Sequence, residues 1–138
     1  MRFLSMIRVN ESASQVPSEQ LMHDMGKLMD EMTREGSLIR TAGLRPTKEG
    51  RRVRLHKGQL STIDGPFSET KEVIGGFAML EAPSMAAAIE LTKRFLRIHG
   101  DAWEIECEVR QLDGPEFGIE SNEQPDLQTS ATTSSSRS

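Results

Sequence analysis

Asp64, Glu69, Lys71 and Glu72 fall close together between two apolar runs, with Gly65-Pro66-Phe67 among them and Gly75-Gly76 just after. A carboxylate such as Asp64 can remove a proton from a substrate. A cation such as Lys71 can steady the negative charge that develops, or lower the pKa of a neighbouring acid. Each also has a plain structural use. Asp64 suits a turn in which its side chain bonds local N–H groups, and Lys71 suits a solvated surface. Glu69 and Glu72 read as charges at the positive end of a short helical turn over residues 69–74, capped by Ser68. Phe67 reads as the anchor that pins this loop to the core. Gly76, with Gly75, permits close backbone approach, for packing or for a ligand.

Other candidates lie elsewhere in the chain. Arg52, Arg54 and His56 share one side of a predicted strand, as an anion-holding stripe or as a solvated face. His99 follows the inward stripe of a helix. There it can titrate near neutral pH or bond to a backbone carbonyl. His23, beside Asp24, reads as a helix-edge residue. Cys107 alternates inward and reads as a small core residue rather than a nucleophile.

The elements that must position these groups follow from periodicity. Residues 2–9 carry apolar side chains on both faces, as in a strand covered on each side. Pro17 or Ser18 opens a helix whose apolar stripe runs Leu21, Met22, Met25, Leu28, Met29 and Met32, with Gly36 as its stop. A second strand covers residues 37–44. Val53 and Leu55 alternate with Arg52, Arg54 and His56, and Lys57-Gly58 turns the chain into residues 60–63, a β-hairpin pattern. Residues 76–81 form another doubly apolar strand. Ser84 caps a second helix with an inward stripe of Met85, Ala88, Ile89, Thr92, Phe95, Leu96 and His99, and Gly100 ends it. Trp103, Ile105, Cys107 and Val109 alternate with Glu104, Glu106, Glu108 and Arg110, which predicts a last strand from Trp103.

The order β-α-β-(hairpin)-β-α-β predicts an α+β, ferredoxin-like protomer with both helices on one face of an antiparallel sheet. The other face would stay bare although its strands are apolar on both sides. A second copy covering it, as a two-fold homodimer, resolves that conflict. The folded body is expected over residues 1–115. Residues 116–138, rich in Ser, Thr, Gln and acids, lack the apolar content to offset ordering entropy and read as a disordered polar tail.

Composition narrows the function. The chain has 138 residues, a formal net charge of -4 and one cysteine. A lone cysteine excludes an internal disulfide and a zinc–cysteine cluster. The three histidines have no paired spacing, so no metal is expected. No block of Lys and Arg suggests nucleic-acid binding. No apolar run approaches the roughly 18 residues a membrane helix needs, and the first residues do not resemble a secretory signal. A cytoplasmic protein without cofactor is expected. Phosphate-loop and nicotinamide fingerprints are lacking.

The run Thr62-Ile63-Asp64-Gly65-Pro66-Phe67-Ser68-Glu69-Thr70-Lys71-Glu72, followed by Gly75-Gly76-Phe77, resembles the YCII-related family, in the branch marked by a D-G-P-F motif. The resemblance extends over residues 2–112. It implies a dimeric α+β barrel built from ferredoxin-like protomers, with Asp64, Glu69 and Lys71 as pocket residues. Another branch is associated with a His on the first helix and an Asp-Pro near the end of the second. This chain has His23, and His99-Gly100-Asp101 without a proline, so that pair is not carried over. The resemblance also implies small proteins with an enzyme-like polar pocket, some linked to extracytoplasmic-function sigma factors.

Two functions follow as expectations. The first is a homodimer that binds a small anionic or lactone-like molecule, with cofactor-free isomerase- or lyase-type proton transfer by Asp64, Lys71 and His99 and binding contacts from Glu69, Phe67, Gly76 and Arg54. The second is a regulatory protein-interaction module associated with a sigma factor.

Overall fold

A computed structural model describes residues 1–13, 16–67 and 69–114. The expected tail and the expected cap at Ser68 lie outside the described residues. The elements run β1 (Arg2–Val9), α1 (Glu19–Arg34), β2 (Leu38–Gly43), β3 (Arg51–His56), β4 (Gln59–Asp64), β5 (Val73–Glu81), α2 (Met85–Arg97) and β6 (Glu106–Gln111), with short 3-10 turns at Glu11–Ala13 and Thr47–Glu49. β1, β2, β5 and β6 form one antiparallel sheet in the order β2-β5-β1-β6. With its two helices this is the ferredoxin-like α+β arrangement. β3 and β4 form a separate two-stranded hairpin inserted between β2 and β5.

Local chemistry accounts for the helix ends. The Ser18 hydroxyl accepts from the Leu21 N–H, and the Ser84 hydroxyl from the Ala87 N–H, each satisfying a donor that the first turn would otherwise leave open. Gly36, at φ +83, takes the chain out of α1 through a conformation that other residues adopt only with strain. Arg94 on α2 reaches Glu35 at 2.6 Å and Glu31 at 3.8 Å, tying the end of one helix to the other.

Register decides which side chains meet. Phe3 stands opposite Leu80, and Ser5 lies between Ala78 and Val109, so these face the helices. Phe3, Leu28, Met32, Leu38, Leu80, Ala82 and Ala88 form the buried core there. Leu4 then pairs with Met79, and Met6 with Phe77, on the opposite face. All four are only half-buried, and no described element of the chain covers them. Gly75 and Gly76 sit where β5 is irregularly paired. A Cβ on Gly75 would come 2.9 Å from Val9, and one on Gly76 3.0 Å from the Ala42 carbonyl oxygen. Close strand approach is thus one use of this glycine pair.

Three local expectations are corrected. Residues 69–74 do not form a helical turn: β5 already begins at Val73, because its ladder with β1 extends to the Val9–Val73 pair. The last strand begins at Glu106 rather than Trp103. Trp103 instead packs its ring against His99, 5.5 Å between centroids, at the end of α2. On α2, Met85 and Ile89 are 40% and 39% exposed, and Leu91 turns toward the core with Ala88 and Phe95.

Candidate functional site

The loop after β4 is held by a web of short polar contacts. The Thr47 N–H and hydroxyl donate to the Glu11 carboxylate at 2.8 and 2.5 Å. Those bonds hold the Glu11 carboxyl below its ordinary pKa, the side-chain bond contributing most. The Phe67 N–H donates to the same Thr47 hydroxyl at 3.4 Å, and the Gly65 N–H to the Gly50 carbonyl at 3.0 Å. A Cβ on Gly65 would lie 1.7 Å from the Thr47 carbonyl oxygen, so only glycine fits there. The Gly65–Pro66 peptide is cis.

This loop gathers some of the predicted site residues. Arg52 stacks over the Phe67 ring, 4.0 Å from its centre, and pairs with Glu69. The hydrogen bond from Arg52 pushes the Glu69 carboxyl down, and the Arg54 charge adds to the effect. Phe67 and Lys71 line a hollow of about 280 Å³ together with Asn10 and Glu11. Lys71 also borders a wider polar depression with Glu72, Asp101, Glu104 and Glu106. Lys71 makes no ion pair among the described residues.

Other predicted residues stand apart. Asp64, at the end of β4, pairs with Arg51 at 2.9 Å, and its side chain is 77% exposed. It does not line the hollow under Phe67 and Lys71. Arg54 stands on the exposed hairpin opposite Ser61. His99 is wedged between the Phe95 and Trp103 rings, and its Nδ1 lies 3.0 Å from the Phe95 carbonyl. A carbonyl can only accept, so Nδ1 carries a proton in this bond. His23 is exposed beside Asp24. Burial pushes the Cys107 thiol up, which favours its protonated form.

A second concavity lies between the helix-facing side of the sheet and the helices. It has a volume of about 530 Å³, within the roughly 300–1,000 Å³ of small-molecule sites. Gly76 lines it; Asp64, Lys71 and His99 do not. Its walls include Met22, Met25, Met29 and Met32 from α1, Leu91 and Phe95 from α2, and Ile7 and Ala78 from the sheet. Met22 is 62% exposed, so this wall opens to solvent on the α1 side. At its base two hydroxyls meet: Ser5 on β1 and Thr92 on α2, 3.3 Å apart, 4% and 7% exposed.

Periodicity puts Thr92 on an inward helix stripe and the methionines on one helix face, but it does not single out Ser5. The available signal is a lone hydroxyl inside the apolar run of β1. The Glu11–Thr47 contact carries no such signal, since nothing in either neighbourhood points to a residue 36 positions away. Among the described residues no group of three or more His, Cys, Asp or Glu is placed to hold a metal ion. Among them, too, no helix is long and apolar enough to cross a membrane.

Comparison with known proteins agrees with this architecture. An uncharacterized protein of Rhizobium meliloti (strain 1021) is 29% identical over 85 residues, which is 62% of this chain and 68% of that protein. The family model of the YCII-related domain matches residues 1–106, from β1 through both helices to the first residue of β6. A match over that much of the chain, on a fold of the expected plan, establishes that the protein belongs to the YCII-related family.

Proposed function

We propose that this chain is a small-molecule-binding protein that works as a homodimer, with its ligand in the cavity between the sheet and the helices. The single observation that carries the reading is that cavity: about 530 Å³, walled by methionines and closed at its base by buried hydroxyls. Methionine side chains adapt to varied apolar shapes, which suits a ligand wall better than a uniquely packed core. Proton transfer by Asp64, Lys71 and His99 would need these groups to converge on one substrate. In this reading Asp64 is a surface charge paired with Arg51, and Lys71 lines a separate hollow with Phe67. The Asp64-Gly65-Pro66-Phe67 run favours the D-G-P-F branch of the family, and a half-buried lone Cys107 suits the reducing cytoplasm.

The homodimer reading is supported by the uncovered sheet face. Leu4, Met6, Phe77 and Met79 make an apolar centre, and Arg40, Glu108 and Arg110 flank it through their register with these strands. An apolar centre with a charged border is the anatomy of a protein interface. The protein-interaction reading, with a sigma factor or another partner, has one observation in its favour. Val53, Leu55 and Leu60 on the hairpin are 72%, 69% and 74% exposed.

A thermal-shift screen of the full chain with small apolar molecules tests the cavity. Hits are expected that vanish in Met25→Trp, which fills the cavity, and persist in Asp64→Asn and Lys71→Met. Hits that survive Met25→Trp but not Lys71→Met would move the site to the charged loop. A screen with no hit that Met25→Trp removes would end the proposal.

A further inference from the structure

The lining of the helix–sheet cavity points to a ligand class, an inference that rests on the cavity being the binding site. The geometry points to an uncharged, mainly apolar molecule with one hydrogen-bond acceptor, such as a ketone or an ester, whose acceptor is held by the Ser5 hydroxyl at the cavity base. Anions are excluded. That sets aside the anionic half of the expected ligand class and keeps to its lactone-like half.

Charge is the first part of the argument. None of the described residues lining the cavity carries an ionisable side chain. An ionised carboxylate placed among methionines, Leu91 and Phe95 would lose its hydration with no cation to meet it, a cost of several kcal/mol even after relaxation. The candidate cations are committed elsewhere. Arg52 is bound to Glu69 and Phe67, and Arg94 to Glu35 and Glu31. Lys71 opens onto the polar hollows and not onto this cavity.

Hydrogen-bond arithmetic supplies the second part. Each hydroxyl has one proton. The Thr92 hydroxyl lies 3.1 Å from the Ala88 carbonyl, one helical turn back, and 3.3 Å from the Ser5 oxygen. The carbonyl is the nearer acceptor, so Thr92 gives its proton there. The Ser5 proton then has the Thr92 oxygen, at 3.3 Å a long contact, as its internal acceptor, and it can turn to a closer acceptor on a guest; Ser5 itself is more than nine-tenths buried at the wall. A buried donor whose internal partners are long or weak gains from one well-placed acceptor on a guest in an otherwise apolar space. Cys107 beside Ser5 offers only a weak sulfur acceptor as competition.

Isothermal titration of the full chain with 2-octanone and with octanoate, at pH 7.5, tests the class. The two probes share chain length and differ in charge at the polar end. The ketone is expected to bind at least about tenfold tighter, as an uncompensated desolvated charge requires. Ser5→Ala should weaken the ketone by roughly three- to tenfold, the worth of one neutral hydrogen bond, and leave octanoate unchanged. Thr92→Val serves as a second variant. It frees Ser5 of its neighbour and should leave ketone binding within about twofold. Octanoate binding as tightly as the ketone, with both lost in Met25→Trp, overturns the ligand class and leaves the cavity standing. Neither probe binding overturns both. Full ketone affinity in Ser5→Ala overturns the assignment of the donor.

Discussion

Phe3 and Phe77 lie on paired strands of one sheet, yet Phe3 is 0% exposed while Phe77 is only half-buried. The two faces of β1 and β5 have comparable apolar content. Phe3, Ile7, Ala78 and Leu80 look toward the helices, and Leu4, Met6, Phe77 and Met79 look away. What separates them is cover. The stripes of α1 and α2 match one face and leave none for the other. The difference teaches that these strands bury one apolar face when the chain folds and leave the other, equally apolar, without a described cover. The covered side holds the monomer together, and incompletely filled space beneath the helices remains as a cavity. The uncovered side has apolar area that the chain alone cannot remove from water.

Breaking that comparison starts with the phenylalanines. Phe3→Ala should cost about 3–5 kcal/mol in urea unfolding, since it leaves a hole in a closed core. Phe77→Ala in dilute solution should cost only about 1–2 kcal/mol, as for a side chain half removed from water. If copies of the chain pair through this face, the Phe77→Ala deficit should grow with protein concentration, and sedimentation equilibrium should show a weaker dimer. A Phe77→Ala cost equal to that of Phe3→Ala at every concentration would mean that the two faces are not energetically distinct.

A pair of glycines sharpens the comparison between the loop and the helix layer. In Gly65→Ala the new methyl would meet the Thr47 carbonyl, and backbone cannot step aside cheaply. We expect a loss of about 1–3 kcal/mol, the usual cost of overpacking, and faster proteolysis within residues 45–72. Gly26 sits inside α1, and a methyl added there would meet nothing within 4 Å. Gly26→Ala should therefore stabilise by about 0.5–1 kcal/mol through helix propensity alone. Equal responses at the two sites, read as melting temperatures, would show that the loop is not held as tightly as its contacts imply.

Much of this plan is legible in the sequence because it is locally encoded. Ser18 and Ser84 announce helix starts through their own hydroxyls, and Lys57-Gly58, both at positive φ, announces the hairpin turn. The element order then leaves few ways to arrange four strands and two helices. Local pattern misleads where a partner distant in sequence outvotes it. Val73 and Ile74 join a ladder with β1 instead of finishing a helical turn, and Trp103 leaves its alternating run to pack on His99. The candidate site divides in the same way. The bend at Asp64-Gly65-Pro66-Phe67 is written in turn residues and can be read directly. The cavity is a space between elements, and no motif encodes the volume that two helices leave over a sheet. Ser5 and Thr92 acquire meaning only when β1 and α2 are packed together.

The smallest effect concerns the tie between the helices that roof the cavity. The hydrogen bond from Arg94 holds the Glu35 carboxyl below its ordinary 4.5, helped by Ser37. A carboxylate whose folded pKa is depressed contributes stability that is fully present above the unfolded value and is lost as pH falls through the folded one. Glu35→Gln should therefore lower the melting temperature by about 2 °C or less at pH 7, in keeping with an exposed ion pair. The gap should hold steady down to about pH 5. Below 4.5 it should shrink and finally close, because the wild-type carboxyl then carries the proton that makes it resemble the amide. A gap that widens toward low pH would reverse the sign and remove the charge on Glu35 as its cause. A gap unchanged by pH would assign the tie to Ser37 and packing, leaving the helix roof held by its apolar stripe alone.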